Sequence, residues 1–135
     1  MRPTLAAKLK LMKIPEQYLP IIPYLIITDA RAFSNFAKAV FGAKEQLVVD
    51  RTETLIMHGE LRIHDAVIMF ADATEQFKER PAGMWIYVIG VDDIYAKAIA
   101  QGATSLMTPV KRPYGYTGGF QDAWGNQWWV VEGEQ

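Results

Sequence analysis

The 135-residue sequence has no cysteine. That excludes disulfides, thiolate metal sites and cysteine nucleophiles, and it suits a reducing compartment such as the cytoplasm, the expected location. Histidine occurs only at His58 and His64, so chemistry that needs several imidazoles has few places to reside. No sign of charge is in excess. The net charge of -1 gives no bulk attraction to nucleic acid or to an anionic membrane, and neither is an expected partner. No apolar run approaches the roughly 20 residues of a membrane-spanning helix. The glycines match neither G-x-G-x-x-G spacing nor a Walker pattern, and no nucleophile elbow is present.

Half of the residues are apolar, which suffices for one domain with its own core. The most informative stretch is Gly118 to Glu132, a strand, a tight turn over Asp122 to Asn126, and a strand carrying Trp128, Trp129, Val130 and Val131. Asp, Gly and Asn tolerate the backbone angles of a short reversal. Adjacent tryptophans in a strand point to opposite faces, so one enters the core and the other lies on a second face.

In chain order, residues 1–20 read as a tail or short helix. Its start is basic (Arg2, Lys8, Lys10, Lys13), and the lysines interrupt the apolar run that a signal peptide would need. Ile21 to Thr28 is a predicted strand, and Asp29 a helix cap. Phe33, Phe36, Ala37, Val40 and Phe41 follow at helical spacing, and Gly42 ends the helix. Strands are predicted at Glu45–Asp50, Leu55–Ile63 and Ala66–Ala71, with a reversal at His64-Asp65. Ala73 to Gly83 is aperiodic and reads as a linker. The pattern then returns: a strand at Trp85–Ile89, a helix capped by Asp92 or Asp93 and closed by Gly102-Ala103, a strand at Thr104–Val110, and a Pro-Gly loop into the final pair. Module one spans 21–72 and module two 84–132, one β-α-β-β-β unit written twice.

Two such modules, with Pro23-Tyr-Leu opening the first strand, Phe-Gly-Ala closing the first helix, His58-x-Glu-Leu in a middle strand, Tyr114-Gly in the late loop and Asp122-Ala-Trp-Gly-Asn126 at the last turn, resemble the vicinal-oxygen-chelate superfamily. That group holds glyoxalases, bleomycin-resistance proteins and extradiol dioxygenases. The resemblance covers residues 21–132 and implies an α+β fold. Each module curls a mixed sheet into half of a cup, with helices outside, and two chains commonly pair, so a homodimer is expected. It also implies a divalent metal held on the first and last strands of each module. Those positions fall near Ile22, Met69, Gly83 and Trp129, none of which can bind such an ion. No cofactor is therefore expected, with a divalent metal left open.

Strand parity supplies the alternative contents of the cup. With Trp129 inward, Gln127 and Val131 share its face, while Tyr24, Trp85 and Tyr87 line the same concavity, and Tyr114 and Tyr116 stand on the loop above. These rings either bind a planar or aromatic small molecule or simply fill a barrel or a dimer contact. His58, Glu60 and Arg62 alternate on one strand face. His58 and Glu60 form a candidate acid–base pair, or two ligands of a displaced metal without a third, and Arg62 a candidate ligand contact; equally, the three form a solvated strand face. Lys111 and Arg112 could meet an anionic group at the cup's mouth. Three functions follow: a binding protein of the resistance or sequestration type; a lyase, isomerase or dioxygenase relative working through His58 and Glu60, with or without a divalent metal; or a purely structural or assembly role with the cup closed by packing.

Overall fold

Apolar runs of strand length become strands, and stripes at helical spacing become helices. The computed structural model describes residues 2–133, so Met1 of the basic start lies outside it. The order is α1 (Leu5–Leu11), β1 (Tyr24–Ile27), α2 (Ala30–Phe41), β2 (Lys44–Asp50), β3 (Ile56–Ile63) and β4 (Ala66–Asp72). Then come β5 (Gly83–Tyr87), α3 (Val91–Ala100), β6 (Thr104–Arg112), β7 (Gly115–Gln121) and β8 (Gln127–Glu132). The two four-stranded sheets are wired alike, β1-β4-β3-β2 and β5-β8-β7-β6. In each, the first and last strands of the module run parallel and the other neighbours antiparallel. The fold is α+β, with two tandem modules and open mixed sheets.

The repetition reaches single hydrogen bonds. Asp72 ends β4 and accepts from the Ala30 amide at the start of α2 at 3.0 Å. Glu132 ends β8 and accepts from the Val91 amide at the start of α3 at 2.7 Å. A carboxylate at a helix start satisfies an orphan donor and complements the positive end of the helix.

Several boundaries differ from the sequence reading. β1 begins at Tyr24 because Pro20 and Pro23 have no amide hydrogen for a ladder, and Ile21 is exposed. β5 starts two residues early and ends at Tyr87, leaving Ile89 94 % exposed outside the sheet. The cap of α3 is Gly90 at φ 82°, not Asp92 or Asp93; both of those carboxylates stand in the first turn. The expected late loop is a tight hairpin at Pro113–Tyr114, since β6 runs on to Arg112 and β7 begins at Gly115.

One core serves both modules. Phe33 of α2 packs on Phe70 of the first sheet, with ring centroids 5.7 Å apart. Phe41, at the end of the same helix, lies 4.6 Å from Trp128 of the second sheet. Trp124, in the β7–β8 turn, meets the Phe33 ring edge-on at 5.4 Å and donates from Nε1 to the Thr28 carbonyl at 2.7 Å. Helix α2 thus joins the sheets through their helix-covered faces. The opposite face of each sheet points away from this shared interior.

Candidate functional site

On the first sheet, the uncovered face carries the alternating set of β3. Gly59, Leu61 and Ile63 are buried toward the helices, and His58, Glu60 and Arg62 share the other side. Glu60 is only 2 % exposed. Its Oε1 accepts from Tyr18 Oη at 2.6 Å and from Gln46 Nε2 at 2.8 Å, and its Oε2 lies 2.8 Å from His58 Nε2. Burial works to raise the Glu60 pKa, but the Tyr18, Gln46 and His58 hydrogen bonds outweigh it and hold the carboxyl below its ordinary value. Tyr24 Oη stands 3.4 Å from His58 Nδ1. Arg62 reaches the Gln46 amide oxygen at 3.0 Å and the Gln17 carbonyl at 2.6 Å.

Gln17 and Tyr18 belong to a segment without regular structure that lies across this sheet as a strap. The hydrogen bond to Glu60, then burial and the carboxylate's charge, push the Tyr18 phenol above its ordinary pKa. Beside this contact is a hollow of about 360 Å³ lined by Gln17, Tyr18, Gln46, Leu47 and Glu60.

The second sheet's uncovered face is aromatic. Trp128 is 1 % exposed on the helix side, and Trp129 is half-buried on the other, as parity requires. Trp85 pairs with Trp129 and Tyr87 with Val131 across the parallel β5–β8 ladder. Trp85 is 49 % exposed and Tyr87 60 %. The Trp85 ring centroid lies 5.1 Å from that of Tyr114 and 6.5 Å from that of Tyr87. A Cβ on Gly119 would run into the Trp129 ring, so the indole lies flat against β7 and offers a face rather than an edge. Gln127, exposed at the start of β8, pairs with Gly83 and stands at the rim of this face. Around edge strand β5, an apolar cleft of about 330 Å³ runs from Pro23, Ala66 and Ile68 to Met84, Trp85 and Tyr87. That volume is at the lower end for small-molecule sites.

Among the described residues the candidates thus fall into two groups, one on each sheet. Tyr24 joins His58, Glu60 and Arg62, while Trp85, Tyr87, Tyr114, Gln127 and Trp129 gather on the second sheet. Tyr116 belongs to neither. It lies within β7 rather than on a loop, and its hydroxyl donates to Asp92 of α3 at 2.6 Å, on the helix side. Lys111 and Arg112 end β6, exposed. His64 occupies the β3–β4 turn at φ 55°, facing solvent.

Sequence reasoning missed Tyr18, Gln46 and Gly119. Tyr18 lies between Pro15 and Pro20, outside the repeat, where no periodicity points at it. Gln46 occupies a bulge between Glu45 and Leu47, and a bulge re-aims a side chain that strict alternation would misplace. The Gly118-Gly119 pair was visible, but its close approach to a ring was not.

The donor set does not fit the family's ion. β1 and β4 present Tyr24 and Met69 as register partners, and β5 and β8 present Trp85 and Trp129. Thioether and indole groups are no ligands for a hard or borderline cation, and the Tyr24 hydroxyl alone, turned toward His58, does not make a site. Among the described residues, no group of three His, Cys, Asp or Glu side chains converges as a metal would need.

Comparison with known proteins extends this geometry. The model of the Glyoxalase/Bleomycin resistance protein/Dioxygenase superfamily matches residues 20–130. No curated protein sequence matches the chain. Among solved structures, TioX from Micromonospora sp. ML1 superposes with a TM-score of 0.72 at 20 % identity, over 84 % of this chain and 98 % of that one. TnmS3 from Streptomyces sp. CB03234, described as an antibiotic binding protein, gives 0.67 at 14 % identity, over 87 % and 100 %. The fosfomycin resistance protein FosX from Mesorhizobium loti gives 0.63 at 15 % identity, over 86 % and 92 %. At these identities the likeness is one of fold.

Proposed function

Because the chain belongs to the Glyoxalase/Bleomycin resistance protein/Dioxygenase superfamily, we propose that it is a small-molecule-binding protein of the resistance or sequestration type, a metal-free cup for a planar or aromatic ligand. The single observation that carries this is the Trp129 indole lying flat over Gly119, with Trp85, Tyr87 and Tyr114 exposed on the same sheet. A flat aromatic face beside rings that solvent can reach stacks a planar molecule, a contact worth about 0.5–1.5 kcal/mol beyond the buried area. Antibiotic binding by TnmS3, a neighbour in fold, is consistent with such a use.

The uncovered faces point away from the shared core, so the cup is completed in a homodimer, the first sheet of one copy facing the second sheet of its partner. The protein acts in the cytoplasm. Titration with a panel of planar aromatic compounds should quench tryptophan fluorescence at low micromolar concentration and raise the unfolding temperature. A panel that does neither would refute the reading. Sedimentation should give the mass of a dimer.

The 2.8 Å approach of His58 Nε2 to Glu60 Oε2 favours a second reading, a lyase-, isomerase- or dioxygenase-like enzyme in which these two groups move a proton. Elemental analysis separates the two, since a stoichiometric transition metal in the purified protein would favour the enzyme.

A further inference from the structure

On the uncovered face of the first sheet the strap occupies the buried, polar seat at Glu60, and it does so with a phenol. We propose that Tyr18 is a built-in pseudo-ligand: Glu60, Gln46 and His58 form a seat for an aryl hydroxyl, and a hydroxylated planar ligand displaces Tyr18 to take it. The idea rests on the small-molecule reading above and adds to it a ligand class and a regulating contact.

The seat is built as a phenol requires. A phenol O–H donates to a carboxylate more strongly than to a neutral oxygen, and Tyr18 Oη does so at 2.6 Å. Glu60 is held in place by Gln46 Nε2 on the same oxygen and by His58 on the other, so it stays aimed when the phenol leaves. The hollow beside Tyr18 and Glu60 leaves room for a ring to enter.

The strap is also lightly held. Of residues 13–20, only Ile14 and Tyr18 are even partly buried, and none is in a helix or strand. Its ties to the sheet are the Tyr18 hydroxyl and the Gln17 carbonyl on Arg62. Segments with little buried area and exposed backbone open at low cost. Residues 13–19 of the strap lie ahead of residues 20–130, the part matched by the family model.

The test compares β-naphthol with naphthalene, which differ by one hydroxyl. In the 135-residue chain, Tyr18→Ala should bind β-naphthol about tenfold more tightly than the unaltered protein does, the scale of one charge-assisted hydrogen bond freed from internal competition. Adding Glu60→Gln to Tyr18→Ala should remove the preference for β-naphthol while leaving naphthalene binding in place. In the unaltered chain, saturating β-naphthol should speed amide exchange over residues 13–19, and naphthalene should not. The exchange measurement needs no variant, so it decides even if Tyr18→Ala folds poorly. Equal binding of both compounds with the strap still protected would overturn the pseudo-ligand alone. Failure of every variant to bind either compound would overturn it together with the planar-ligand reading.

Discussion

Two tryptophans adjacent in sequence have opposite surroundings. Trp128→Ala should cost about 3 to 5 kcal/mol in denaturant unfolding, because its ring is buried against Phe41 and its Nε1 donates to Asp122 at 2.9 Å. Trp129→Ala should cost much less stability and lose most affinity for planar ligands, as read by quenching of the remaining tryptophans. The glycines sharpen the contrast. Gly119→Ala would tilt the half-buried Trp129 ring off the sheet, with a modest stability loss and a clear loss of planar-ligand affinity. Gly59→Ala meets Phe70, which is fully buried and cannot give way, so it should destabilise by about 1–3 kcal/mol or more with no change at the aromatic face. The opposition of Trp128 and Trp129 was legible in the sequence, because a pleat permits nothing else. The role of Gly119 was not, because a close approach depends on register between strands.

Turns and straps obey different rules from strands. The Asp122–Asn126 turn was readable from its Asp, Gly and Asn alone, yet the network inside it was not. Asp122 Oδ1 accepts from the Trp124 and Asn126 amides at 3.0 and 2.9 Å, and Oδ2 from Asn126 Nδ2 and Trp128 Nε1. Asp122→Ala would strand several buried donors and should lower stability by about 3 kcal/mol, measured by chemical denaturation. The strap lay beyond sequence reasoning because its partners are more than 40 positions away in a non-repeating segment. Its pH response has two limbs. Glu60 has a depressed folded pKa, so its stabilisation is complete above the unfolded carboxylate value of about 4.3 and is lost as pH falls through the lower folded value. Tyr18 has a raised pKa, so its stabilisation is complete below about 10 and is lost as pH rises through the higher folded value. His58 and Tyr24 also stand on this face, with Arg62 alongside and Lys44 its register partner on β2. Protection of the amides over residues 13–19, taken relative to the intrinsic exchange rate at each pH, should therefore be greatest between those limits, and Tyr18→Phe should abolish the alkaline limb.

At the scale of the molecule, the tandem order was legible in the sequence, whereas the joint between modules was not. Phe41 was visible only as part of a stripe, and nothing in a helical period says that its neighbour will be Trp128 of the other sheet. All 4 tryptophans lie at or after position 85, so fluorescence reports on the second module while circular dichroism reports on both. A core shared through α2 predicts that the two probes give one coincident unfolding transition; separated midpoints would mean that the modules melt independently. The connection between them, by contrast, is exposed from Glu75 to Arg80. A protease that nicked the chain there would leave two polypeptides clasped by Trp124 and Phe41, travelling as a single particle until a denaturant parted them.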